Sequence, residues 1–348
     1  MRGVCPVGPV ITMRMTMRKF ITIIAAAVLA ACNICACSSA PAGQASAGAN
    51  DRLQIVTTIF PEYDWVCEVM GDKADGADVT LLLDNGVDLH SFQPSAEDIL
   101  KIATCDMFIY VGGESDGWVD DALKEAVNKD MVVINLLEVL GDNVKAEEIV
   151  EGMEHEHDHD HEDEGHDHEE ELDEHVWLSL RNAEILTDAI ADGLAQIDPD
   201  NADSYRTNAD AYKSKLDALD KEYSAAAAAG SVNTLLFGDR FPFRYLVDDY
   251  GLDYYAAFAG CSAETEASFE TVVFLAEKTD ELGLNAIMTI EGTDHSIAET
   301  IRDNTSGKDQ QILTLNSLQS TTGKDAENGT TYLSVMTSNL EVLKEALK

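Results

Sequence analysis

Of the nine histidines in the chain, six crowd into fourteen residues, at His155, His157, His159, His161, His166 and His168. They alternate with carboxylates: Glu151 to Glu174 holds fourteen Asp or Glu and no Lys or Arg. Neutral imidazole with carboxylate is a ligand set for zinc and its divalent neighbours. The segment has no apolar period with which to bury a face, so 151–174 reads as an acidic His-rich loop. Closing such a loop around an ion costs conformational entropy, which makes it a low-affinity collector of metal rather than the tight site. A protease motif is poorly supported here. His161-Glu-Asp-Glu-Gly-His166 has one residue too many for the i, i+4 pair that puts two imidazoles on one helix face.

The other three histidines are His90, His175 and His295. His90 stands in Gly86-Val-Asp-Leu-His-Ser-Phe-Gln-Pro94, His175 in Asp173-Glu-His-Val-Trp-Leu-Ser179, and His295 in Ile290-Glu-Gly-Thr-Asp-His295. A lone histidine is usually a structural residue. Three in or near loops that follow strands, beside a His-rich collector, point to a metal site.

The elements that must position them form two alternations of strand and helix. In the first, strands are expected at Leu53–Thr58, Val79–Leu83, Met107–Val111 and Met131–Ile134, and helices at Glu62–Met70, Ser95–Ala103 and Trp118–Val127. Short apolar strands between helices indicate βαβ units and a parallel sheet. Leu180–Ile197 is helical, Asp198-Pro199-Asp200 breaks it, and a helix runs from Asn201 to Ala229 with Tyr205, Tyr212, Leu216, Leu219 and Tyr223 on one face. At ~1.5 Å per residue that helix is about 40 Å long, enough to join two lobes. The second alternation has strands at Val232–Phe237, Asp253–Ala257, Ala286–Ile290 and Ile312–Leu315, and helices at Phe241–Asp249, Ser268–Leu282, Ser296–Asn304 and Tyr332–Leu347. The fold class is therefore α/β, in two lobes linked by one long helix, and 348 residues suffice for both. Ligands of such folds bind beyond the carboxyl ends of the strands. A net charge of −42 argues against nucleic acid, and against an anionic membrane held by charge alone.

The N-terminus reads as an export signal. Arg14, Arg18 and Lys19 precede an apolar run of twelve, Phe20 to Ala31, too short to span a bilayer and right for a signal peptide. Met13, Met15 and Met17 are alternative starts. Leu29-Ala30-Ala31-Cys32 resembles a bacterial lipobox, with Cys32 as the lipidated residue. The segmentation expected is signal 1–31, flexible tether 32–50, N-terminal metal-binding lobe 51–198, linking helix 199–229 and C-terminal metal-binding lobe 230–348. The exported chain would be lipid-anchored to the outer face of the cytoplasmic membrane. Of Cys67, Cys105 and Cys261 in the folded part, two can pair, or all three are buried thiols.

Ile55-Val-Thr-Thr-Ile-Phe-Pro61, Leu89-His-Ser-Phe-Gln-Pro94, Asp173-Glu-His-Val-Trp-Leu-Ser179 and the region around Glu291, together with the acidic His loop and the long helix, resemble the zinc/manganese substrate-binding lipoproteins of bacterial ABC importers. The resemblance covers essentially all of the chain after the tether. It implies a four-stranded parallel sheet in each lobe, with one metal ion in the cleft between them. His90 and His175 match the first two ligands. Where the family has His or Glu, Phe237-Gly-Asp-Arg-Phe-Pro-Phe243 places Gly238, so Asp239 is a candidate for the third ligand, or else caps the helix expected at Phe241. His295, four residues beyond Glu291, is inferred to supply a third imidazole, with Glu291 a ligand or a partner orienting one. Such a set favours Zn(2+), with Mn(2+) the alternative.

The expected function is capture of Zn(2+) and its delivery to the permease of an ABC importer, by a monomer that is not an enzyme. A manganese-binding homologue, or a surface adhesin or metal buffer, is the alternative. A metal-dependent hydrolase is less favoured, because no nucleophile elbow, phosphate loop or acid pair is visible.

Overall fold

The computed structural model describes residues 52–153, 171–262 and 266–348. Its framework is two four-stranded, all-parallel sheets. The first is built from β1 (Leu53–Thr57), β2 (Ala77–Leu81), β3 (Met107–Tyr110) and β4 (Val132–Asn135), in the order β2-β1-β3-β4. The second is built from β5 (Thr234–Phe241), β6 (Asp253–Ala259), β7 (Ala286–Ile290) and β8 (Gln311–Leu315), in the equivalent order β6-β5-β7-β8. Each order reverses at its first strand, so a crevice opens at the carboxyl ends where the winding switches sides. All residues of β3 and β7 are buried, because helices cover both faces of a parallel sheet.

Local chemistry starts and stops the covering helices. In α1 (Phe60–Met70), Pro61 sits in the first turn, Glu62 reaches back to accept from Thr58 N at 2.7 Å, and Gly71 ends the helix at φ 55°. Helix α2 (Ala96–Thr104) has Ser95 as its cap, with Asp98 returning a bond to Ser95 N at 2.9 Å. Two short helices, α3 (Val119–Lys124) and α4 (Leu136–Leu140), complete the first half. Ser179 then caps α5 (Leu180–Ile197), and α6 (Ala202–Ala229) follows. Around the second sheet lie α7 (Arg244–Tyr250), α8 (Phe269–Leu282), α9 (Ser296–Asn304), α10 (Gly323–Glu327) and α11 (Tyr332–Ala346).

The 28-residue α6 buries Tyr205, Ala209, Tyr212, Leu216, Leu219 and Tyr223 along a single stripe. It packs against α1 and α5 of the first half and α11 of the second. One buried cluster runs from Ile55 through Trp177 and the α6 stripe to Leu347, so both halves share a core. A smaller cluster, including Leu236, Leu275 and Ile301, lies apart from it. Side chains also cross between the halves. Trp177 Nε1 donates to Ser317 O at 2.8 Å, Tyr332 Oη to Trp177 O at 2.7 Å, and Tyr332 N to Asp64 at 2.9 Å.

Two sequence expectations shift. Strand β5 continues to Phe241 across an irregularity between Phe237 and Arg240, so the next helix begins at Arg244 and Asp239 does not cap it. Cys105 and Cys261 are free thiols, which removes every pairing among Cys67, Cys105 and Cys261. The signal, the tether, Cys32 and the six loop histidines lie outside the described residues. Among the described residues no helix is long and apolar enough to cross a membrane.

Candidate metal centre

His90 sits in the short turn Leu89–Ser91 beyond β2. Asp88 accepts from His90 N at 3.0 Å, and its second oxygen meets Arg240 of the other half at 2.7 Å. Burial opposes ionisation of Asp88, but the Arg240 guanidinium and His90 outweigh it and hold the carboxyl below its ordinary value. The His90 ring is fixed by its Nδ1, 2.8 Å from Ser115 Oγ and 3.5 Å from Glu174 Oε2. Ser115 lies in the turn after β3, where Gly112 and Gly113 adopt φ of 96° and 79°. Glycine is required at 113, since a Cβ there would fall 2.3 Å from Glu174 Oε1, which accepts from Ser115 N at 2.9 Å.

His175 is wholly buried. Its Nδ1 is 3.1 Å from Asp173 Oδ1, an oxygen that also accepts from His175 N at 2.9 Å. Both rings thus have Nδ1 facing oxygen; with the proton on Nδ1, each Nε2 is left as an acceptor. The two Nε2 atoms face each other at 3.2 Å. Burial, and next the facing His175, push His90 down to about 4, so it is neutral at ordinary pH. Two acceptor lone pairs directed at one point repel unless a cation lies between them. Two imidazoles on tetrahedral zinc at ~2.0–2.1 Å have nitrogens roughly 3.3 Å apart. The arrangement fits the ion.

A third group joins them. Among the described residues, His90, His175 and Cys261 form a group whose ligand atoms all lie within 4.8 Å of one another. Cys261 follows β6, and its N donates to Glu147 at 3.0 Å. Burial, then the charges of Glu147, Asp173 and Glu174, drive its thiol far above its ordinary value. Beside this group is a cavity of about 280 Å³, with Glu114, Glu147, Glu171 and Glu174 on its wall. Glu171, the first described residue after 154–170, is on that wall.

The other sequence candidates lie elsewhere. His295 precedes α9 at φ 60°, with Nδ1 3.4 Å from Thr293 Oγ1. Asp239 Oδ2 accepts from Ile290 N at 3.2 Å and Thr293 Oγ1 at 2.8 Å, while Oδ1 accepts from Arg240 N at 2.9 Å. Both residues line a second cavity of about 640 Å³, which Asp88 and Ser91 close from the first half. Glu291 holds Ser317 through N at 2.7 Å and Oγ at 2.8 Å. At Gly238, a Cβ would fall 2.6 Å from Ala298 Cα, so no side chain fits. The structure brings His90 and His175 together, and leaves His295, Asp239 and Glu291 outside their group. Sequence reasoning missed Cys261, Ser115, and Asp173 and Glu174 as ring-orienting acids. The rule that selected His295, a position just after a strand, applies equally to Cys261.

The model of the family described as zinc-uptake complex component A, periplasmic (ZnuA) matches residues 55–346. This chain belongs to that family. It is 31% identical over 300 residues to the zinc-binding protein AdcA of Streptococcus pyogenes serotype M6, covering 85% of this chain and 56% of that protein. It is 30% identical over 322 residues to the high-affinity zinc uptake system protein ZnuA of Bacillus subtilis, covering 92% of this chain and 96% of that one. The crystal structure of the Zn(II)-bound ZnuA-like domain of Streptococcus pneumoniae AdcA superposes with a TM-score of 0.66 at 30% identity, covering 85% of this chain and 99% of that domain. The chain spans little more than half the length of the AdcA proteins it matches. The two-sheet fold is the one the ZnuA family shares.

Proposed function

We propose that this protein captures a zinc ion and delivers it to the permease of an ABC importer. The observation that carries the reading is the His90–His175 pair: a half-buried and a fully buried imidazole with Nε2 atoms 3.2 Å apart and each Nδ1 facing an oxygen. Membership of the ZnuA family supports zinc as cargo, and supports a binding role over hydrolysis. Of the second-half candidates, Asp239 is engaged by Ile290 and Thr293 and Glu291 by Ser317, which leaves His295, on the wall of the larger cavity, as a further candidate for steering the ion. The acidic cavity wall supplies a local negative potential that concentrates divalent cations at the entrance.

The test is zinc titration of the metal-free protein and of His90→Ala and His175→Ala. Each substitution is expected to abolish tight binding while leaving the fold intact. Tight binding that survives both would refute the reading. Location follows from Cys32 as the lipid-bearing residue, a reading supported by the relative named a zinc-binding lipoprotein, AdcA of Streptococcus pneumoniae. Cys32→Ala is expected to release the protein from the membrane fraction, and retention would contradict the anchor.

A further inference from the structure

Cys261 is the part of the metal centre that no motif announced. We infer that its sulfur is a metal ligand from the second half, which makes the centre a two-imidazole, one-thiolate site selective for zinc over manganese. This rests on the zinc-capture reading above and adds the ligand that sets its selectivity.

Several independent features hold Cys261 at the ion's place. Its Sγ lies within 4.8 Å of ligand nitrogens on both histidines. The Gly260–Cys261 turn presses directly on His175: a Cβ at Gly260 would come 3.0 Å from His175 Cε1 and 2.9 Å from Phe241 O. The first half grips the same turn through Glu147, which accepts from Cys261 N. Tyr245 of α7 donates to Asp173 O at 2.8 Å and accepts from Lys145 N at 3.0 Å, which ties the second half to the segment carrying His175. Glu174 adds a separate sign of a cation. Its Oε2 is buried, has no hydrogen-bond partner among the described residues, and lies 3.5 Å from His90 Nδ1 at the edge of the cluster. A buried carboxylate oxygen without a donor is costly unless positive charge lies nearby. Position 238, which the sequence resemblance marks as a ligand place, has no room for a side chain, so a donor from this half must come from another strand end. Cys261, just after β6, lies at one.

The chemistry follows from the donor. Thiolate is a soft ligand that binds zinc at ~2.3 Å and is poorly matched to manganese, which prefers carboxylate, carbonyl and water oxygens. With Glu291 committed to Ser317 and Asp239 to Ile290 and Thr293, the donors that would favour manganese are already engaged.

Cobalt(II), spectroscopically visible in zinc sites, tests this on the full chain. Metal-free wild-type protein titrated with cobalt should develop a sulfur-to-cobalt charge-transfer band in the near ultraviolet, along with the visible bands of a tetrahedral site. Cys261→Ser should keep the fold by circular dichroism, lose the charge-transfer band, and bind zinc at least ~100-fold more weakly, since even partners one shell further out are worth about 10–100-fold. Its manganese affinity should change by no more than a few-fold. Cobalt bound by wild type without the sulfur band, or a band that persists in Cys261→Ser, overturns the inference and leaves zinc capture standing. If neither zinc nor cobalt binds wild type, both fall together. Absence of the band in wild type overturns the inference even if the variant misfolds.

Discussion

Asp173 contacts His175 twice, through its backbone N and its Nδ1, and so fixes both the place of the ring and the nitrogen it offers. Asp173→Asn can turn its amide N–H toward Nδ1 and favour the wrong tautomer. It is expected to weaken zinc binding by about 10–100-fold, with the unfolding midpoint of the metal-free protein little changed, as measured by competition against a chromophoric chelator. Ser115→Ala should cost less, because Glu174 still faces His90 Nδ1 at 3.5 Å. Legibility at this scale was divided. His90 and His175 were readable because imidazole is scarce outside the loop and each stands in a recognisable segment. Cys261 was not, since a cysteine in an exported chain suggests a disulfide or a core thiol. Only folding shows that β6 ends against His175. His295 was selected by its place after a strand and by spacing from Glu291, relations along the chain that said nothing of where its ring lies.

Among the elements, β5 carries the most informative departure. Expected to end at Phe237, it runs to Phe241, with Gly238 against the start of α9 and Asp239 bonded to the end of β7. A Cβ at 238 would meet backbone atoms of Ala298, which cannot rotate away. Gly238→Ala should therefore lower stability by about 1–3 kcal/mol, read from chemical denaturation. Tyr223 tests the join between the halves. Its hydroxyl donates to Met336 O at 2.6 Å in the buried core, so Tyr223→Phe removes that bond and should cost ~1 kcal/mol. The strands and long helices were legible because their apolar periods are uninterrupted and caps such as Ser95 and Gly71 mark their ends. The five-residue α4 and α10 were not, being too short to show a period. The extension of β5 depends on pairing with Phe258 and Ala259, which the local sequence does not encode.

At the scale of the molecule, the shared core makes the two halves one cooperative unit, and it contains carboxyl groups that set a pH dependence. Burial, and next the charge of Asp116, raise Glu62 to about 8 from 4.5. Burial likewise raises Asp64 to about 7 and Asp116 to about 7, each from 3.8. A raised carboxyl pKa means that the folded state holds its proton over a range where the unfolded chain has lost it. The stability these groups contribute is complete below their unfolded values and is lost as pH rises through the folded ones. The metal-free protein should therefore weaken between about pH 4 and 8. Glu62→Gln, whose amide oxygen can still accept from Thr58 N, should show a shallower decline in urea unfolding across that window. An unchanged slope would mean that Glu62 is ionised in the fold. The whole-molecule plan, two parallel sheets and one long helix, was legible from the sequence. The sharing of one core was not, because each half has enough apolar residues to suggest a core of its own.

The central claim is a single tight zinc site between His90 and His175. Its most direct test is zinc titration with zinc-edge X-ray absorption on the chain lacking residues 154–170, so that the loop histidines cannot contribute. One ion per chain is expected, with two imidazole nitrogens in its first shell and binding lost in His90→Ala and His175→Ala. No tight ion, or one whose spectrum is unchanged by those substitutions, would contradict it.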